Sequence, residues 1–368
     1  MSDELRDRLE QAPVPDAEQA RRRAWTVVRS AAPAPAELPR RLGWRAPIAA
    51  VATAAAVTFA FTPPGAAVGE WVRDRVDPPA PAPQPPARAA TRLPAPGRLL
   101  VRDARGVTVV DHDGSRTRIG RFDGATWSPR GLFVAAWRGA RLSAVSPDGA
   151  VRWEIAAPQR IRAARWSPDG FRIAYLTAGG GLRVVAGDGT GDRELARAAA
   201  AIPAWRPRSA HTLAFVARSG GIQVRDADGG AVLARPRGAV PPGTRTLSWA
   251  ADGRRVAATG AHEIRIFDVR GGRARRIARL APARWTAAAF SPIHSTLARV
   301  ERSRGRSTVS AGRQVFATRG RITSATWSPD GRWLMLDTPD ARQLIAVRVR
   351  GAPRVLSFPG GRLEGWSR

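Results

Sequence analysis

The chain contains no cysteine, no lysine and no asparagine among its 368 residues. Without cysteine there is no disulfide framework, no thiolate metal site and no thiol nucleophile. Without lysine, all 60 basic side chains are Arg, set against 30 Asp and Glu for a net charge of +30. Lys and Asn share AA-initial codons and Arg has the CGN family, so the bias is that of a very GC-rich genome. The four His residues, at 112, 211, 262 and 294, are scattered along the sequence and leave little room for a His-built metal site. No G-x-S-x-G elbow, HExxH, P-loop or dinucleotide fingerprint occurs. Asp111-His112-Asp113-Gly114 and Asp226-Ala227-Asp228-Gly229 resemble the start of a calcium loop, but neither is followed by the Glu that such a loop needs at its twelfth position. The sequence therefore assigns no catalytic residue, no cofactor and no metal ligand, and we expect a protein that is not an enzyme. Present in quantity are 36 Gly, 31 Pro and 13 Trp, a composition of many turns and large apolar side chains. A basic helical nucleic-acid binder does not look like this, and nucleic acid is not the expected partner.

The N-terminal quarter falls into three pieces. Residues 1–45 form a polar arm with helical patterning, starting from Ser2-Asp3-Glu4, which suits a capped helix start, and including Arg21-Arg22-Arg23. Residues 46–68 form an apolar segment that we expect to span a membrane as a single helix. The uncharged run reaches 24 residues at Gly69, against the roughly 20 a spanning helix needs. A cleaved leader and a buried soluble helix are the alternatives. Seven Arg lie between 21 and 45, whereas only Arg73 and Arg75, among three acids, lie just downstream. The positive-inside rule then places the N-terminus in the cytoplasm and the remainder outside. Residues 69–97 are Pro-rich and read as a stiff, extended spacer.

Residues 98–368 repeat. Arg165-Trp166-Ser167-Pro168-Asp169-Gly170 is matched by Thr326-Trp327-Ser328-Pro329-Asp330-Gly331 and by Thr126-Trp127-Ser128-Pro129-Arg130-Gly131, with weaker copies at Trp205, Trp249 and Phe290 and a last one at Trp366. The seven aromatic positions, Trp127, Trp166, Trp205, Trp249, Phe290, Trp327 and Trp366, are 37 to 44 residues apart. In Ser-Pro-Asp-Gly, Pro sets the second turn position, Asp suits the third and Gly accepts the fourth, so a strand reverses there. Three further short β-rich runs follow before the next copy. Four strands per roughly 40 residues is the blade of a β-propeller, and stacked blades supply a core no single blade could bury. The fold class expected is all-β, a propeller of about seven four-stranded blades.

These WSPDG turns resemble those of the TolB-like and WD-repeat-like propellers, and Ile264-Arg265-Ile266-Phe267-Asp268 resembles the third strand of a WD repeat, with Phe267 where its Trp would stand. The resemblance implies an interaction scaffold. Residues 98–120 supply three strands of a blade and Gly361–Trp366 a lone first strand, so the C-terminal strand is expected to close the ring. A strand at Arg92–Gly97 competing for that place leaves six and eight blades as alternatives. The repeated aromatics are expected between blades rather than as ligand stackers, and the turn Asp residues as turn formers. An enzyme would need two carboxylates at the axis, and Glu154, Glu194, Glu263 and Glu301 do not recur at one blade position. The propeller region holds 47 Arg against 20 acids. Its densest run, Arg299, Arg302, Arg304 and Arg306, is the expected contact patch for a protein or an anionic envelope polymer. The whole reads as a membrane-anchored extracytoplasmic binding scaffold. A short arm, one span and an outer sensor also resemble membrane-bound anti-sigma regulators, which would give residues 1–45 a cytoplasmic partner.

Overall fold

The computed structural model describes residues 87–197, 201–209, 211–271, 274–279 and 284–367. The expected helical arm (1–45), membrane span (46–68) and most of the Pro-rich spacer lie outside the described residues. Among the described residues no helix is long and apolar enough to cross a membrane. The chain divides into two units, residues 1–80 and 81–368, and the fold below is that of the second.

Seven sheets, antiparallel but for one two-residue strand, are arranged as blades. Blade 1 is composite: Arg362–Trp366 forms its first, innermost strand, beside Leu99–Asp103, Gly106–Val110 and Arg116–Gly120. Leu99 pairs with Trp366 and Val101 with Leu363, so the C-terminal strand closes the ring as the sequence implies. Blades 2 to 7 begin at Gly124–Trp127, Ile161–Trp166, Ala204–Trp205, Thr246–Trp249, Arg284–Phe290 and Ser324–Trp327. Each of these first strands neighbours the first strand of the next blade, all the way round. The segment Arg92–Gly97 forms no strand; its Leu93 and Ala95 are buried between blades 7 and 1. Just before it, Arg88–Ala89 pairs parallel with Leu356 and Ser357 and adds a fifth strand to blade 7. The end of the segment read as spacer thus packs on the propeller.

The strand sequences follow from burial on two sides. In Arg172–Thr177, Ile173 and Tyr175 face blade 2, packing with Trp137, Leu142 and Trp166. The alternate residues, Ala174 and Leu176, face blade 4 and meet Trp205, Leu213 and Phe215. A middle strand therefore reads as a continuous apolar run, because its period-two alternation serves two interfaces. Seven apolar clusters result, one at each blade interface.

The seven repeated aromatics end the first strands and lie in those clusters, each 6–9% exposed. Trp205, Trp249 and Trp327 donate Nε1–H to the carbonyls of Arg165, Ala204 and Ala289, each at 2.9 Å. Each acceptor immediately precedes the aromatic of the blade before. At three of its seams the ring is thus stitched by an indole-to-carbonyl bond as well as by packing.

Candidate binding face

Strands alternate in direction within a blade, so the connections sort onto two faces. One face carries the turns after the first and third strands, and we call it the turn face. The other carries the turns after the second strand and the crossings from the fourth strand to the next blade; this is the connection face.

Charge divides unequally between them. Among the described residues, the turns of the turn face hold nine Asp and eight Arg. Six of these nine Asp are engaged in forming turns: Asp169 and Asp330 accept from the backbone N–H of Phe171 and Arg332, both at 3.1 Å, Asp252 from that of Arg254 at 2.8 Å, and Asp113, Asp148 and Asp188 from those of Ser115, Ala150 and Thr190. Backbone and hydroxyl donors hold the carboxyls of Asp113, Asp148 and Asp188 below the usual carboxylate range. The two segments resembling calcium loops are also turns of this face. Asp226 accepts from the backbone of Asp228 at 2.8 Å, and Asp228 clamps Arg172 of blade 3 through two 2.6 Å bonds.

The connection face holds eleven Arg and two acids, Asp123 and Asp340, among the described residues of its connections. All eleven Arg are exposed. Blade 4 contributes Arg218, Arg235, Arg237 and Arg245, and blade 6 contributes Arg304, Arg319 and Arg321, with no acid in any of those connections. None of the seven reaches a carboxylate among the described residues.

The expected patch at 299–306 lies in the second hairpin of blade 6 and is split by the structure. Arg304 sits at the tip with φ 47° and Arg306 beside it, both exposed. Arg299 is half-buried with its guanidinium 5.7 Å from the Trp285 ring, and Arg302 donates to Ser307 Oγ at 3.1 Å. The sequence reading missed Arg235, Arg237, Arg245, Arg319 and Arg321, because prolines and glycines dilute them. The available signal was their place in the repeat: all follow a fourth strand.

Two cavities open on the flank where blade 4 meets blade 5. One, of about 430 Å³, is lined by Arg237, Gly238, Arg265, Ala274 and Arg276. The other, of about 390 Å³, shares Gly238 with the first and is lined also by Arg235, Ser219, Gly221 and Gln223. The Arg235–Ala239 stretch is pinned by a bridge between Gly221 and Ala239 and by the bond from Arg265 Nη1 to the Ala239 carbonyl at 2.8 Å. Beside it, Glu263 is gripped by Arg265 at 2.5 Å and Arg276 at 2.8 Å, which hold its carboxyl below the ordinary range against the opposing effect of burial.

A third polar group comprises Glu364 and Arg165, on the innermost strands of blades 1 and 3, and Asp337, on the second strand of blade 7. Asp337 is 3% exposed and accepts from Thr323 Oγ1 at 3.1 Å, while its Oδ1 has no partner among the described residues. Burial raises its pKa above the usual carboxylate value. Glu364 pairs with Arg102 at 2.8 Å and with Arg362 at 3.7 Å. Arg165 is near enough for Glu364 to offset part of the desolvation that lowers its pKa. Of the four Glu weighed from the sequence, Glu154, Glu194 and Glu263 are paired with Arg within their own blades.

No protein-family model matches the chain, and no curated protein does. Solved structures do share its fold. The β-propeller domain of Cps50 (Swd1) from Myceliophteria thermophila aligns with 14% identity over 70% of this chain and 99% of that one, at a TM-score of 0.55. A chain of a mitotic checkpoint complex aligns with 18% identity over 78% and 90%, at 0.53. Hydrazine synthase from Kuenenia stuttgartiensis aligns with 12% identity over 62% and 76%, at 0.48. At the identities and TM-scores of the first two, the likeness defines an architecture, a WD40-like propeller, which here has seven blades.

Proposed function

We propose that the protein is a non-catalytic binding scaffold, tethered to the membrane through residues 46–68 and holding its propeller outside the cytoplasm, where the blade connections engage a protein or an anionic envelope ligand. The observation that carries this reading is the connection face: eleven exposed Arg mounted on a closed, packed ring. A rigid ring presents side chains at little entropic cost on binding. The propeller domain from the Swd1 structure and the mitotic checkpoint complex chain supply an analogy of architecture, which supports a binding role without naming a ligand. The uncharged run at 46–69 and the Arg excess before it support the tether and its orientation.

The tether is tested by fusing alkaline phosphatase after residue 368 and, separately, a reporter that works only in the cytoplasm. The expected result is phosphatase activity in cells and a silent cytoplasmic reporter. The reverse pattern overturns the extracytoplasmic placement.

A further inference from the structure

We infer that the arginine sector of blades 4 to 6 on the connection face is a docking site for an acidic segment of a partner protein, with carboxylates of that segment held by Arg235 and Arg237 beside the flank cavities. The inference deepens the binding-scaffold reading and rests on it. Three observations support it.

First, the charge is sorted. Turn chemistry puts Asp on the turn face, where it is engaged by backbone and hydroxyl donors. The seven Arg of blades 4 and 6 have no such task and no counter-charge in their own connections. Clustered like charges repel, and a ligand of opposite sign relieves that repulsion as it binds.

Second, the stretch that carries Arg235 and Arg237 is held rather than free. The Gly221–Ala239 bridge, the Arg265–Ala239 bond and a 2.9 Å bond from Val240 N–H to the Gly220 carbonyl fix its backbone. Its two guanidinium groups are exposed on either side of buried Pro236, and each lies on the rim of a different cavity. A chain crossing that rim finds polar groups from Ser219 and Gln223 as well as charge.

Third, the molecule already shows how this neighbourhood takes a carboxylate. Glu263 lies between Arg265 and Arg276, which line the same cavity as Arg237. Arg presents a planar fork matched to a carboxylate, so a second acidic side chain placed against Arg237 would be bound in the same manner. The two open cavities, of about 430 and 390 Å³, share Gly238 in their lining, so one segment lying over Arg235–Ala239 would reach both.

The test uses the full-length protein in zwitterionic nanodiscs and a fluorescent oligoglutamate peptide. Single-stranded DNA and vesicles containing phosphatidylglycerol serve as competing polyanions. The double variant Arg235→Glu/Arg237→Glu should weaken peptide binding by more than about tenfold, the scale of losing charge-assisted hydrogen bonds. The equal charge change Arg254→Glu/Arg350→Glu on the turn face should alter it by less than about twofold. Because Arg235 and Arg237 have no carboxylate partner among the described residues, the unfolding midpoint should stay in place; the Gln double variant provides the same comparison without reversed charge. Equal losses from both faces would overturn the sector. Tighter binding of the DNA or the vesicles than of the peptide would overturn the acidic-protein assignment. The phosphatase fusion is read independently, so loss of the tether reading and loss of this one remain distinguishable.

Discussion

Trp327 and Trp166 occupy the same place in their blades, yet only one of them has a partner for its indole. Trp327 donates to Ala289, whereas the buried Nε1 of Trp166 has no partner among the described residues. Replacing either by Phe removes similar volume, and only Trp327→Phe strands a carbonyl. Its loss of stability should exceed that of Trp166→Phe by about 1 kcal/mol, measured as a difference in urea unfolding. Equal losses would show that packing alone holds the seams. Asp337 makes a prediction of opposite sign. Its pKa is raised in the fold by burial, so the folded state holds the proton more tightly than the unfolded chain. The ionised form therefore costs stability, and the cost grows as pH climbs above the unfolded value of about 3.9. Asp337→Asn should melt higher than the parent at neutral pH, and the gap should close below about pH 4. Thermal melts from pH 3 to 8 check this.

At the scale of the strand and turn, Ser-Pro-Asp-Gly does much of the specifying. In blade 3 the Gly170 N–H bonds to the Ser167 carbonyl at 3.0 Å, and Gly170 takes φ +83°. A Cβ there would stand 3.6 Å from Pro129, so Gly170→Ala meets backbone strain alone. At Gly331, φ +62°, the same atom would come within 2.8 Å of Ile293. Gly170→Ala should cost about 1–2 kcal/mol, and Gly331→Ala more. Comparative thermal melts decide between a uniform and a site-dependent penalty. Because this chemistry is local, the blade count and the closing strand could be read from the sequence. Blade 4 kept the form without the motif: its first strand is Ala204–Trp205 and its turn bends through Arg208 at φ 59°. The addition of Arg88–Ala89 to blade 7 was hidden, because two residues after a proline run carry no strand pattern. The arginine sector was hidden for a different reason. Its members lie as much as a hundred residues apart, and only the ring sets blade 4 beside blade 5 and blade 5 beside blade 6. Asp337 was equally silent, since nothing in Leu334–Asp337 says that the strand ends against the innermost strands.

For the molecule as a whole, the seal is the pairing of Arg362–Trp366 with Leu99–Asp103. Stopping the chain after Gly361 removes Leu363 and Trp366 from the cluster between blades 7 and 1 and leaves the edge of Leu99–Asp103 bare. The truncated protein should lose its single cooperative transition and run as aggregate on size exclusion; a monodisperse, cooperatively melting product would show that six blades and a remnant suffice. The same pairing orders the protein's birth. The strand at 99–103 leaves the ribosome more than two hundred residues before the one that completes its sheet, so the nascent chain carries an unfinished blade through nearly its whole synthesis. Contacts so distant in sequence form slowly. Until the last strand arrives, the arc of finished blades has two open ends, each an apolar blade face that the closed ring later covers.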